Sequence, residues 1–78
     1  SEEMLWTQVQ LGHLFFNAGR YDEAEIVYTV ASDLSPQYVY AQGALARLKM
    51  ARGDLQGAIA IYEPLVQRLP LPEFIVLM

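Results

Sequence analysis

Cysteine is absent from this 78-residue chain, which excludes disulfides, thiolate metal sites and cysteine nucleophiles together. Positive charge is scarce, because five lysines and arginines stand against nine aspartates and glutamates and give a formal net charge of −4. Basic patches hold phosphate backbones, so this balance argues against nucleic acid as a partner. The apolar runs fall far short of the roughly 18 to 20 residues that cross a bilayer, and the sequence predicts no membrane insertion by this segment.

Groups suited to catalysis or metal binding are equally few. The single histidine, His13, has no second imidazole, hydroxyl or carboxylate three or four residues away. Zinc sites need several ligands at short spacing, and a nucleophile needs a nearby base. The stretch from Gly53 to Gly57 lacks the lysine of a phosphate-binding loop. We therefore expect no metal, no cofactor and no enzymatic activity.

What the chain does contain is an internal repeat. Four residues recur 34 positions further on, in the pairs Gly19 and Gly53, Ala24 and Ala58, Tyr28 and Tyr62, and Pro36 and Pro70. A period of this length indicates a unit copied in tandem, which buries its apolar face by stacking on its neighbours. Hydrophobic residues make up 54% of the chain, against roughly 45–50% in ordinary globular proteins. Part of that apolar surface is therefore expected to lack a partner within these residues.

The apolar residues of each unit recur at threes and fours, which predicts helices. We expect four of them, over residues 3–18, about 21–34, about 36–51 and about 55–68, arranged as two hairpins. Gly19 supplies the positive φ that commonly ends a helix, and the third helix is expected to end at Gly53.

Three further residues carry signals for helix ends. Ser35 followed by Pro36 is typical of a helix N-terminus, and we expect the third helix to begin there. Asp54 is suited to cap the fourth helix. Pro64 removes one hydrogen bond inside the fourth helix, so a kink or early fraying is expected at that point.

A 34-residue pair of helices, with glycine at the turn and alanine and an aromatic residue in the second helix, resembles the tetratricopeptide repeat. The first copy matches at Leu11, Gly12, Phe15, Gly19, Tyr21, Ala24, Tyr28, Ala31 and Pro36. The second keeps Leu45, Ala46, Gly53, Ala58, Tyr62 and Pro70. The resemblance implies an all-α solenoid of antiparallel helix-turn-helix repeats in a right-handed superhelix. We expect the chain to form one domain over residues 1–78, with repeats at about 5–38 and 39–72 and the start of a third unit at 73–78.

Several positions bear on how the two repeats pack. Gly12 is small, which we interpret as room for Ala24 of the partner helix, while Tyr28 is expected to fill the space toward the next hairpin. Four residues depart from the family pattern. Gln8 replaces a tryptophan, Arg20 an acidic cap, Lys49 an aromatic residue and Leu65 a small residue. Three acidic residues near the start of the second helix, Asp22, Glu23 and Glu25, are expected to solvate its outer face and to favour the helix start.

In proteins that resemble this one, the first helix of each hairpin lines a concave groove that holds a peptide or a partner protein. Carried over position by position, the groove comprises Trp6, Val9, His13, Phe16, Asn17, Tyr40, Gly43, Arg47 and Met50, with Ala51 beside them. Tryptophan, tyrosine and arginine are the types enriched at interface hot spots. The resemblance thus implies a scaffold for protein–protein interaction.

The family's best-known ligand site is a clamp for a terminal carboxylate. Val9, His13 and Ala44 stand at three of its positions, so the chain does not match a receptor of that kind. We expect an apolar segment as the ligand, with Arg47 orienting one carboxylate or carbonyl.

Alternatives to groove binding stay open. Trp6 and Tyr40 could instead pack against a preceding repeat, and Arg47 could be a solvated charge. The segment could also mediate self-association or docking within a larger protein through its apolar ends, such as Phe74 to Met78. It could equally be the regulatory arm of an enzyme. Because the chain begins at Ser1 and stops inside an apolar run, we expect a fragment of a longer protein. The sequence does not determine the compartment, and the cytoplasm is the default expectation because this segment contains no signal peptide, membrane span or cysteine.

Overall fold

The structure, a computed structural model, describes residues 2–68 of the chain. Four α-helices account for most of these residues. They are α1 (Glu2–Asn17), α2 (Tyr21–Leu34), α3 (Val39–Ala51) and α4 (Leu55–Arg68). α1 packs against α2 and α3 packs against α4, while α2 joins the two hairpins by packing against α3. The predicted all-α fold is confirmed, and residues 2–68 contain no strand. The expected third unit at 73–78 lies outside the described residues, and the handedness and repeat boundaries stay predictions.

The two hairpin turns are built identically. Gly19 and Gly53 have φ of 78° and 84°, as predicted for Gly19, and each lies at the point where its helix ends. In the first turn the Arg20 N–H donates to the Phe15 carbonyl at 2.9 Å, and in the second the Asp54 N–H donates to the Lys49 carbonyl at 2.8 Å. These bonds, with a left-handed glycine, form the Schellman motif that satisfies the last carbonyls of a helix.

The start of α4 was also predicted correctly. The Asp54 carboxylate accepts a hydrogen bond from the Gly57 N–H at 2.9 Å, which satisfies one of the unpaired amides of the first turn. The expected fraying at Pro64 is wrong, because α4 continues to Arg68. Pro64 and Ala60 are both exposed, so the carbonyl that loses its partner lies on a side of the helix that water can reach.

The start of α3 differs from the prediction, since the helix begins at Val39 and not at Pro36. The Ser35 N–H donates to the Ala31 carbonyl at 3.2 Å and so completes α2, and the Ser35 carbonyl accepts from the Tyr38 N–H at 3.0 Å. Serine followed by proline is favoured at the first two positions of such a β-turn as well as at a helix start. The same two residues therefore reverse the chain here.

Tyr28 is the centre of the core, and Gly12 is small because of it. Tyr28 is buried in one cluster with Ala24, Ala31 and Leu48. A Cβ added at Gly12 would lie 3.0 Å from the Tyr28 Cζ and closer still to two other ring carbons. The atoms that a side chain at Gly12 would meet first thus belong to Tyr28, a neighbour that the sequence reasoning did not name, and the close approach of Ala24 stays a prediction.

The acidic residues of α2 hold the second hairpin and do not merely solvate an outer face. Arg52 pairs with Asp22 at 2.8 Å and with Glu25 at 3.0 Å, and Lys49 lies 3.5 Å from Glu25. Asp22 accepts the hydrogen bond that keeps the pKa of the Arg52 guanidinium above its ordinary value. These ion pairs, all between α2 and the last turn of α3, account for a lysine at position 49.

Arg20 has a local role at the first turn. It precedes α2 without a side-chain cap, and its Nε donates to the Glu23 carboxylate at 2.9 Å. Its guanidinium also lies 5.2 Å from the centre of the Phe15 ring, which is a favourable cation–π distance. Arg20 thus covers the end of α1, and Glu23 is its partner.

Candidate functional site

One large groove runs along the side of the molecule formed by α1 and α3 and is bordered by α4. Its volume is about 1650 Å³, well above the roughly 300–1,000 Å³ of a typical small-molecule pocket. All nine residues that the resemblance assigned to a groove line it: Trp6, Val9, His13, Phe16, Asn17, Tyr40, Gly43, Arg47 and Met50. Ala51 is not among its lining residues.

The nine residues occupy different depths. Val9 is buried, with 3% of its surface exposed, and therefore forms floor more than contact surface. Trp6 and Tyr40 hold equivalent positions in the two repeats and are 58% and 71% exposed. A Cβ added at Gly43 would meet no atom within 4 Å, so the backbone of α3 lies open at this point. The groove thus combines a packed floor with two large exposed aromatic side chains, of which Tyr40 meets the Tyr38 ring edge to face with centres 5.6 Å apart.

His13 and Tyr28 form a hydrogen-bonded pair at the base of the groove. The His13 Nδ1 and the Tyr28 hydroxyl are 2.6 Å apart, and the two rings meet edge to face with centres 5.6 Å apart. Burial, together with the nearby Arg47 cation, lowers the pKa of His13. Burial also raises the pKa of Tyr28. At neutral pH both side chains are therefore uncharged, and they support the groove as a neutral pair.

Lowering the pH from about 8 to about 5 is expected to destabilise the fold through His13. Because its pKa lies below the ordinary value of 6.5, the unfolded chain takes up the proton first as the pH falls. The contribution of His13 to stability is complete above pH 6.5 and is lost below it. Thermal melts across this range should show a smaller fall for His13→Gln than for the wild type. Equal falls would contradict this role, because the two proteins differ only at position 13.

Arg47 places a positive charge in the groove. Its guanidinium lies 5.3 Å from the centre of the Phe16 ring, so a contact from α3 to α1 holds it over the floor. Among the side chains of residues 3–67, no carboxylate lies within ion-pair distance of Arg47, whereas Arg20, Lys49 and Arg52 are each paired. A positive charge held on an aromatic face, without a partner, is suited to an anionic or carbonyl group of a ligand.

The contribution of α4 to the groove was missed by the sequence reasoning. Its lining residues are Ile59, Tyr62, Glu63, Val66 and Gln67. The signal was present, because apolar residues recur along α4 at spacings of three and four. The resemblance assigned the groove to first helices only, and so this border was left out.

Three kinds of feature are not found among residues 2–68. Within the part of the chain that the structure describes, no three histidine, cysteine or carboxylate side chains come together as metal ligands. No buried side-chain nitrogen or oxygen there lacks a hydrogen-bond partner. None of the described helices is both long and apolar enough to cross a bilayer.

Comparison with known families agrees with the fold. The family model of the tetratricopeptide repeat matches residues 15–74, which is well over half of the chain. No curated protein and no solved structure gives a significant match. Tetratricopeptide repeats generally mediate protein–protein interaction and are typically non-catalytic modules. With four helices in two hairpins whose turns coincide with the period of the sequence, the chain belongs to the tetratricopeptide repeat family.

Proposed function

We propose that this chain binds an apolar segment of a protein partner in the groove, with Arg47 orienting one carboxylate or carbonyl of that segment. It acts as a scaffold and not as an enzyme. The proposal is carried by three residues that line one preformed groove: two exposed aromatic side chains, Trp6 and Tyr40, and Arg47, which has no carboxylate within ion-pair distance among the side chains of residues 3–67. These are the residue types that contribute most to protein interfaces.

The size and the rigidity of the surface support a peptide as the ligand. A groove of about 1650 Å³ exceeds what a small metabolite fills. Its floor is held by the core through Val9 and by the hydrogen bond between His13 and Tyr28. A receptor that is already ordered loses little conformational entropy on binding, so more of the contact energy appears as affinity.

The double variant Trp6→Ala/Tyr40→Ala is expected to lose affinity for such a segment without losing stability. Both side chains are exposed, so truncation removes contact area for the ligand and little from the core. Peptides selected from a display library against the wild-type chain should bind the double variant at least about tenfold more weakly in titration calorimetry. The selected peptides should be rich in apolar residues and carry an acidic residue, and Arg47→Ala should abolish that acidic preference.

Ile26→Ala serves as the matched control, because Ile26 is an exposed apolar residue of α2 that does not line the groove. Its affinity for the selected peptides should equal that of the wild type. If the double variant keeps full affinity, the two aromatic residues face another repeat and the groove assignment is wrong.

A further inference from the structure

The two ends of the molecule each present a face whose counterpart is buried inside it. The exposed residues Thr7, Leu11 and Leu14 of α1, with Ala18 directly after it, form what we term the α1 face. Of their equivalents 34 positions on, Ala41 and Leu48 are buried in the core cluster and Arg52, directly after α3, pairs with α2. Leu14 is 69% exposed, whereas its equivalent Leu48 is 0% exposed. The α1 face therefore has the pattern of a surface that receives a second helix, but no described residue covers it.

The opposite end of the molecule presents the matching partner. On α4 the residues Gln56, Ile59 and Tyr62 form what we term the α4 face, and they are the equivalents of Asp22, Glu25 and Tyr28 on α2. Tyr28 is fully buried at the junction with α3, whereas Tyr62 is only half-buried and Ile59 is exposed. The α4 face therefore has the pattern of a helix that packs against a following hairpin.

The α1 face and the α4 face both lack the charged residues that form ion pairs at the internal junction of α2 and α3. Inside the molecule, Glu25 on α2 pairs with Lys49 and Arg52 on α3. At the equivalent positions the α4 face carries Ile59, and α1 carries Phe15 and Ala18. Charge is thus missing on both sides at once, so bringing the two faces together buries no unpaired ion. An apolar residue on one side only would have left a cation without its partner.

From these matched faces we infer that two copies of this chain stack end to end, with the α1 face of one copy on the α4 face of the next. The internal junction of α2 and α3 is the template for the contact. Such a contact joins two different surfaces. A stack of copies therefore keeps an open α1 face at one end and an open α4 face at the other. Association of this heterologous kind continues beyond a dimer instead of closing on itself.

The inference is independent of the groove function. None of Thr7, Leu11, Leu14 and Ala18 lines the groove, so an α1-face variant leaves the proposed peptide site intact. Ile59 and Tyr62 border the groove, and for this reason the α1 face provides the cleaner test.

Sedimentation velocity over a concentration series of the full chain tests the inference. The wild type should shift from monomer to dimers and longer species as concentration rises. Leu14→Glu and Ile59→Glu should each stay monomeric, because each places a carboxylate in the apolar contact. Ile26→Glu is the control, since it changes an equally exposed isoleucine on α2 and should associate as the wild type does.

An equimolar mixture of the two monomeric variants gives the sharpest result. Each variant retains one intact face, so the mixture should form a dimer of one copy of each and nothing longer. The double variant Ala18→Arg/Ile59→Glu should recover association, because it rebuilds the equivalent of the Glu25–Arg52 pair between copies.

Three results would overturn the inference. The first is a wild type that stays monomeric up to its solubility limit, which is also the outcome if residues 69–78 of the same chain cover the α4 face. The second is association that Leu14→Glu leaves unchanged. The third is a mixture of the two variants that stays monomeric.

Discussion

Gly12→Ala should lower the free energy of unfolding, whereas Gly43→Ala should raise it. Both glycines lie inside helices, where alanine is favoured over glycine by up to about 1 kcal/mol. At Gly43 the added methyl group would meet no atom within 4 Å. The helix-propensity gain is therefore realised there without a steric cost.

At Gly12 the steric cost outweighs that gain. The new Cβ would lie 3.0 Å from the Tyr28 Cζ, with two ring carbons closer. The ring has no room to withdraw, since Tyr28 is fully buried and its hydroxyl is held by His13. Overpacking of this kind costs about 1–3 kcal/mol. In the second repeat the equivalent of Gly12 is an alanine, Ala46, and the equivalent of Tyr28, Tyr62, is only half-buried.

Urea unfolding followed by far-UV circular dichroism would measure both changes. A double variant, Gly12→Ala/Tyr28→Leu, distinguishes the clash from a general intolerance of α1. Because the ring is the obstacle, the double variant should lose less than the sum of its two single variants. Stabilisation by Gly12→Ala equal to that by Gly43→Ala would show that Tyr28 does not constrain this position.

Leu48→Ala should destabilise the domain by about 2–5 kcal/mol, whereas Leu14→Ala should change its stability by less than about 0.5 kcal/mol. The two leucines hold the same place in successive repeats, but Leu48 is 0% exposed and Leu14 is 69% exposed. Truncating Leu48 leaves a cavity in the cluster that contains Tyr28 and Ala41. Truncating Leu14 removes only a side chain that water already surrounds.

Thermal melts at low protein concentration are the appropriate measurement, because association through the α1 face would otherwise add stability to the wild type. A loss of several kcal/mol is a large share of the total for a chain of this length. Leu48→Ala should therefore unfold at a markedly lower temperature. If the two variants melted together, Leu48 would not be a core residue or Leu14 would not be a free one.

Local backbone signals were the most predictable part of this structure. The positive φ of Gly19 and the cap at Asp54 depend on residues within one helical turn, and both were predicted from sequence. The start of α3 was not, because serine and proline suit a β-turn and a helix N-terminus alike. The turn is distinguished by the Ser35 carbonyl, which accepts a hydrogen bond from the Tyr38 N–H three residues on.

Contacts between helices were harder to predict. The resemblance paired Gly12 with Ala24, but the distance to Tyr28 depends on how closely α1 and α2 approach, and a one-dimensional pattern does not contain that distance. The roles of Asp22 and Glu25 likewise depend on Lys49 and Arg52, which are more than twenty residues away. The groove residues on α1 and α3 were carried over from the family resemblance, which assigns the groove to the first helix of each repeat, whereas the border formed by α4 depends on the three-dimensional arrangement of the helices.

The two attachments of α3 differ in their sensitivity to dissolved ions. Lys49 and Arg52 tether it to α2 through partly exposed ion pairs, which dissolved salt weakens. Arg47 tethers it to α1 by lying on the Phe16 ring, a contact that also includes dispersion and is screened less. We therefore expect a higher ionic strength to loosen the first attachment more than the second. Because α3 lines the groove, we expect the shape that a ligand meets there to depend on the salt around the protein.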